Sequence, residues 1–170
     1  MNTVDEYIEN LYSPLGELQS AWSPQGLRSL SFLEKSTSKQ PFKVNSVDPR
    51  CQQLQQELDR YFATGKLHWD LGILDWRGMT EFQQRALRAC FAIPSGNTCS
   101  YAGLAAKIGS PKASRAVGAA MAKNRWPLLI PCHRVVGSKG NLVGYSGRGG
   151  VQTKKWLLEM ECSRNLSNAS

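Results

Sequence analysis

Apolar residues recur along this chain in two rhythms, and the change from one to the other divides it. Between Tyr12 and Trp22 they alternate loosely after turn signals at Ser13-Pro14 and Gly16, and a second run, Gly26 to Leu33, follows across Ser23-Pro24-Gln25. The pattern predicts two short strands joined as a hairpin. Ser36 to Val47 is polar, contains Pro41, and reads as a surface connection. Asp48-Pro49 then has the chemistry of a helix start, and Cys51, Leu54, Leu58, Tyr61 and Phe62 recur at helical spacing up to Gly65. Lys66 to Trp76 alternates in part and predicts one more strand. Beyond it the helical rhythm takes over. Thr80 caps an amphipathic stretch to Cys90, Ile93-Pro94-Ser95-Gly96-Asn97 breaks it, and Ser100 opens a helix over Tyr101 to Ile108 that Gly109 stops. Ser110-Pro111 reads as a cap and first residue for a further helix from Lys112 to Lys123. Two helices across a short glycine-containing turn form a helix-turn-helix pattern. The second is thin, with Ala113, Ser114, Ala116, Gly118, Ala119, Ala120 and Ala122, and it carries Lys112, Arg115 and Lys123 as candidates for phosphate contact. Close packing inside a core calls for the same small residues. Ser163 to Ser170 reads as a disordered tail.

Composition changes this picture in one respect. With 170 residues and 41% hydrophobic content, the chain suffices for one good core or two small lobes sharing an interface. Its net charge of +8 is unevenly placed: residues 1–75 hold 7 Lys+Arg against 10 Asp+Glu, whereas residues 76–170 hold 14 against 3, so the halves carry −3 and +11. A polyanion partner for the second half is the physical implication, and nucleic acid is the commonest such partner. No apolar run reaches the roughly 18 residues that span a bilayer. Asp5, Glu6 and Glu9 stand where a secretory signal carries basic residues, so neither membrane nor export is expected. Five cysteines without a Cys-x-x-Cys spacing, and two widely separated histidines, predict reduced thiols, no metal and no cofactor.

The candidate chemistry lies in Leu128-Leu129-Ile130-Pro131-Cys132-His133-Arg134-Val135-Val136, an apolar run interrupted by a thiol beside an imidazole. A thiol attacks only as thiolate, and a neighbouring base can generate it. Pro131 fixes the backbone before the thiol and favours a rigid turn. For an isolated pair of this kind a buried, inert cysteine is the commoner case, and only the surroundings overturn it.

Taken with its surroundings, this stretch resembles the active-site signature of the O6-alkylguanine-DNA alkyltransferase family. Ser13-Pro14-Leu15-Gly16, Tyr61-Phe62-Ala63-Thr64-Gly65, Phe82-Gln83, Ser100-Tyr101, Arg115-Ala116-Val117-Gly118, Gly144-Tyr145-Ser146-Gly147 and Lys154-Lys155-Trp156-Leu157-Leu158 extend the resemblance over nearly the whole chain. It implies an α+β protein: a ribonuclease-H-like α/β lobe over residues 1–75, then a helical lobe over 76–162 with a winged-helix-like helix-turn-helix entering the minor groove. It implies irreversible, single-turnover transfer of an alkyl group from guanine O6, with thymine O4 as a second substrate, in double-stranded DNA to Cys132. By the family pattern, His133 takes the thiol proton through a water, Glu161 orients the imidazole, and Tyr145 assists the leaving group. Arg115 fills the space of the extruded nucleotide, Tyr101 crowds a phosphate, and Lys112, Ser114, Ala116 and Asn124 belong to the DNA-binding set. Tyr145, Ser146, Asn124 and Pro127 belong to the substrate pocket. Arg134 is expected in an ion pair. A monomer is expected, cytoplasmic in a prokaryote or nuclear in a eukaryote.

The chain departs from the pattern at Arg125-Trp126, where the family usually shows proline after the asparagine, and in the longer loop Ser146-Gly147-Arg148-Gly149-Gly150. The lengthened loop leaves Glu159 as a fallback for the acid. Three other readings compete: a lesion-sensing relative without the nucleophile, a cysteine hydrolase using Cys132, His133 and Glu161, and a helix-turn-helix transcription regulator. The presence of Cys132 opposes the first, its adjacency to His133 and the lack of an oxyanion-hole signature oppose the second, and the lack of a dimerisation segment opposes the third.

Overall fold

The computed structural model describes residues 6–33, 48–145 and 147–167. Three strands, β1 (Tyr7–Ser13), β2 (Gly16–Ser23) and β3 (Gly26–Phe32), form an antiparallel meander in sequence order. Leu11 pairs with Leu18 and Trp22 with Leu27, which sends these side chains to the buried face, and the β2–β3 register shifts between Ala21 and Trp22. The expected hairpin is thus the second half of a three-stranded sheet. The polar run Glu9-Asn10 hid β1, which is held by α1 (Pro49–Thr64): Gln55 accepts from the Tyr12 amide at 2.8 Å and donates to its carbonyl at 2.9 Å. Asp48 caps α1 by accepting from the Arg50 amide, Pro49 occupies its first turn, and Gly65 ends it at φ 73°, a conformation that only glycine adopts freely.

Residues 66–76 correct a sequence expectation. They form no strand; Asp70 accepts from the Gly72 amide at 2.8 Å and winds Leu71–Ile73 into a 3-10 turn, leaving one parallel bridge, Leu27 to Leu74. The side-chain cap offered a closer partner than a ladder did. α2 (Glu81–Phe91) begins with a full capping box between Thr80 and Gln83. β4 (Cys99–Ser100) leads into α3 (Tyr101–Lys107), which Ser100 caps. α4 spans Ser114–Ala122 and lacks a side-chain cap. The expected Ser110-Pro111 start is therefore also corrected: the Ser110 carbonyl accepts from Ala113 and closes a turn, which leaves Lys112 outside the helix. β5 (Val135–Val136) pairs in parallel with β4, and α5 covers Gly150–Ser167. α5 runs past the expected end at residue 162 because Asn165 donates to Ser95 O at 2.8 Å and Ser163 and Ser167 bond back within the helix. The polar connection Ser36 to Val47, residues 168–170 and Ser146 lie outside the described residues.

One apolar cluster extends from Leu11 and Trp22 through Leu58, Leu87 and Leu104 to Leu129 and Leu157. Trp126, one of the departures from the family pattern, bolts the two halves of the chain together. Its indole is fully buried, donates to Leu27 O at 2.8 Å and meets Trp76 edge-on at 4.9 Å, while the Leu30 amide donates to Arg125 O at 2.7 Å. Truncating a buried aromatic of this size typically costs about 3–5 kcal/mol. No helix among the described residues is long and apolar enough to cross a membrane.

Candidate active site

The segment 126–136 is buried throughout, and a chain of turns delivers its thiol. Ile130 N donates to Trp126 O at 2.8 Å across Leu128, which takes φ 73°, a strained conformation for a leucine. Pro131, at φ −79° and ψ 64°, is the centre of an inverse γ-turn closed by Cys132 N on Ile130 O at 2.8 Å. Cys132–Arg134 then forms a 3-10 turn leading into β5. Asn124 secures the arrangement from the end of α4: its Nδ2 donates to Ile130 O at 2.9 Å and its Oδ1 accepts from Trp126 N at 3.0 Å.

Cys132 stands in the wall of a cavity of about 290 Å³ shared with Tyr101, Gly118, Met121, Ala122, Gly144 and Tyr145. Gly118, Met121 and Ala122 are spaced i, i+3, i+4 and present one face of α4. That spacing is visible in the sequence, but the small residues alone do not distinguish a pocket wall from a packing or DNA-facing surface. Pro127 and Asn124 line a neighbouring cavity instead. Tyr101 donates to Val143 O at 3.2 Å, while Lys112, Arg115 and Ala116 are exposed and Ser114 is half-buried.

Behind the thiol lies a closed polar cluster. Glu161 is fully buried and its Oε1 accepts from Tyr61 Oη at 2.6 Å, from His133 Nε2 at 2.8 Å and from Arg134 Nη2 at 2.9 Å; its Oε2 accepts from Arg134 Nε at 3.0 Å and from Gly96 N at 3.1 Å. Arg134 also donates to Ile93 O at 2.5 Å. Burial alone would raise the Glu161 carboxyl, but the bonds and charges of His133 and Arg134 outweigh it and hold the group down to about 2. An ionised carboxylate only accepts, so His133 carries its proton on Nε2 and keeps a lone pair on Nδ1. Burial holds the imidazole below its ordinary value, hence neutral. His133 Nδ1 and Tyr145 Oη are both buried without a hydrogen-bond partner among the described residues. Glu159 points elsewhere: it is 65% exposed and pairs with Lys155.

Burial also pushes the Cys132 thiol up, with Asn124 and the Lys154 charge pulling the other way. Lys154 is a residue that sequence reading assigned no role. It is fully buried one helical face with Glu161, and its ammonium donates to the carbonyls of Val135 at 2.7 Å, Val143 at 3.0 Å and Gly144 at 3.2 Å. Three donors meet three acceptors. Only the three-dimensional path of the chain could reveal it, since the carbonyls lie 10 to 19 residues away. Lys154→Met is expected to raise the apparent thiol pKa, because the ammonium charge that pulls it down is lost, read from the pH dependence of iodoacetamide labelling at Cys132. An unmoved profile would assign Lys154 to structure alone.

Fold and site together define a class: small mixed α/β proteins that keep one cysteine reachable in the wall of a cavity in an otherwise closed core. Residues 81–163 match the family described as "6-O-methylguanine DNA methyltransferase, DNA binding domain". The chain is 41% identical over 160 residues to the methylated-DNA–protein-cysteine methyltransferase of Mycobacterium bovis, covering 93% of each. It is 36% identical over 159 residues to the constitutive enzyme of that name from Bacillus subtilis, covering 91% of this chain and 94% of that one. The crystal structure of Mycobacterium tuberculosis OGT in complex with DNA superposes with a TM-score of 0.75 at 41% identity, over 92% of this chain and 93% of that chain. The chain belongs to the methylated-DNA–protein-cysteine methyltransferase family.

Proposed function

We infer that this protein repairs DNA by moving an alkyl group from guanine O6, with thymine O4 as a second substrate, onto Cys132 in a single irreversible turnover. The observation that carries the reading is the thiol in the cavity wall, backed by a buried His133–Glu161 pair whose Nδ1 retains its lone pair. In the resting state thiol and imidazole are both neutral, which protects the sulfur from stray electrophiles. His133 Nδ1 takes the thiol proton, directly or through a water, as the sulfur attacks the alkyl carbon; Glu161 stabilises the imidazolium. The carbon–sulfur bond forms while the carbon–oxygen bond breaks, and guanine leaves with a proton delivered at its edge, where the unpartnered Tyr145 hydroxyl is the available donor. The product is a neutral thioether, which has no means of returning the group.

A cavity of about 290 Å³ accepts one nucleobase and no duplex, so the lesion must be swung out of the stack, at a cost of a few kcal/mol. The ribonuclease-H-like reading is assigned to the sheet with α1, over residues 1–75, and the helix-turn-helix to α3 and α4 within 76–162. In this reading the small residues of α4 let it enter the minor groove, Arg115 fills the vacated stack, and Tyr101, Lys112, Ser114 and Ala116 meet the backbone. The protein acts as a monomer on double-stranded DNA.

Mixing the protein with a duplex containing O6-methylguanine is expected to add one methyl group to the peptide carrying Cys132, in a stoichiometric burst without turnover, as read by intact and peptide mass spectrometry. An adduct on Cys99 or Cys162 instead would reject the assignment. Arg115→Ala is expected to slow repair in duplex roughly tenfold or more while leaving reaction with the free alkylated base within about twofold, because only the duplex reaction requires extrusion.

A further inference from the structure

The loop that carries Tyr145 separates two cavities, and the alkyl-transfer reading uses only one of them. Gly144 and Tyr145 face the cavity of Cys132. Gly147, Arg148 and Gly149 face a second cavity of about 450 Å³ whose far side is Ser29, Leu30, Ser31 and Phe32. The Arg148 side chain crosses to that far side: Nη1 donates to Leu33 O at 3.2 Å, and it stands 3.0 Å from the place a Cβ would occupy at Gly16. Its anchor is firm, because the Leu33 amide donates to Glu17 O at 2.9 Å and thereby continues the sheet. On the pocket side, the Tyr145 ring lies directly against Gly147. A Cβ there would fall 2.3 Å from Cε1 and 2.7 Å from Cζ of the ring. The ring therefore follows the Gly147 backbone, and the Gly147 backbone is held by its neighbour Arg148. The facing wall has no such freedom, since Val117, Ala120 and Met121 root α4 in the core.

We propose that Arg148 is a specificity-determining positioning residue: its strap from the Tyr145 loop to Leu33 sets the width of the alkyl pocket and restrains entry of arylmethyl groups on guanine O6. With the strap in place the loop is a fixed wall, suited to a methyl group. With it released, the wall yields into the second cavity and a benzyl group gains room. One charge-assisted hydrogen bond, here at an exposed site, biases two loop positions by a factor of up to about ten.

The inference rests on the alkyl-transfer reading, and the test separates the two. Single-turnover rates are measured for the unaltered protein, Arg148→Ala and Arg148→Lys on duplexes identical except for O6-methylguanine or O6-benzylguanine, so that any change in DNA affinity cancels in the ratio. Arg148→Ala is expected to raise the benzyl-to-methyl rate ratio roughly tenfold. Arg148→Lys, which can still donate to Leu33 O, is expected to stay within about threefold of the unaltered ratio. A ratio unchanged in Arg148→Ala, or equal losses on both substrates, overturns the strap while leaving alkyl transfer intact. Failure of the unaltered protein to take a methyl group at Cys132 removes both.

Discussion

Cys132→Ser yields a protein that folds, retains its affinity for duplex DNA and removes no alkyl group. The hydroxyl is nearly the size of the thiol and finds the same neighbours, because Asn124 and the local backbone amides already act on this side chain. Stability should therefore change by no more than about 1 kcal/mol. Chemistry changes far more. His133 is a neutral imidazole held below its ordinary value by burial, strong enough to take a proton from a thiol but far too weak to generate an alkoxide in bulk. The loss in single-turnover rate is expected to be on the order of 10⁴-fold or more, as for removal of other enzymatic nucleophiles. Rates on O6-methylguanine duplex, together with a gel-shift titration, decide the matter; a variant that still cleared the lesion would end the thiolate mechanism.

Glu161→Gln is expected to produce the largest loss of stability among single polar substitutions. Every group around this side chain is a donor: Tyr61 Oη, His133 Nε2, the Arg134 guanidinium and Gly96 N. A glutamine amide turns two further donors into that ring and removes the charge that balances Arg134, which is 7% exposed. Leaving a buried charge without its partner costs about 3–5 kcal/mol. Denaturant unfolding at neutral pH measures it, and a loss below about 1 kcal/mol would contradict the ionised assignment. The pH dependence has a definite sign. The folded carboxyl sits at about 2, against an ordinary 4.5, so its contribution is fully present above 4.5 and is lost as pH falls towards 2. That contribution is roughly 3 kcal/mol when integrated over the shift. Asp48 is held down to about 2 chiefly by Arg50 and loses its share in the same window, so the informative quantity is the difference between the unaltered protein and the variant. That difference should shrink as the solution is acidified through this range.

Much of the helical architecture was legible in advance because helices and their caps are encoded within four residues. Asp48-Pro49, Thr80 with Gln83, and Ser100 each announced a start that the backbone then makes. Reading failed where a short-range cue had a nearby competitor. Asp70 turned an alternating stretch into a 3-10 turn, the Ser110 carbonyl closed a turn before a helix, and the polar face of β1 concealed a strand whose other support comes from Gln55 in α1. The lengthened loop had made the position of the acid a choice between Glu159 and Glu161. Two residues apart on a helix lie on nearly opposite faces, so only packing could send one inward and leave the other with Lys155.

The sequence by itself determined the candidate pair of Cys132 and His133, the basic half that contains it, and the family to which the chain belongs, because each is written in contiguous residues or in summed charge. Tertiary structure alone decided which atom of His133 remains a base, that Arg134 and Tyr61 lock Glu161 in its ionised form, that Lys154 holds the carbonyls of Val135, Val143 and Gly144, and that Trp126 joins β3 to the segment that delivers the thiol. The physical reason is range. A cap or an alternation is settled among neighbours, whereas the protonation and placement of a buried group depend on everything that displaces water around it. Those groups come here from residues as far apart as Tyr61 and Glu161.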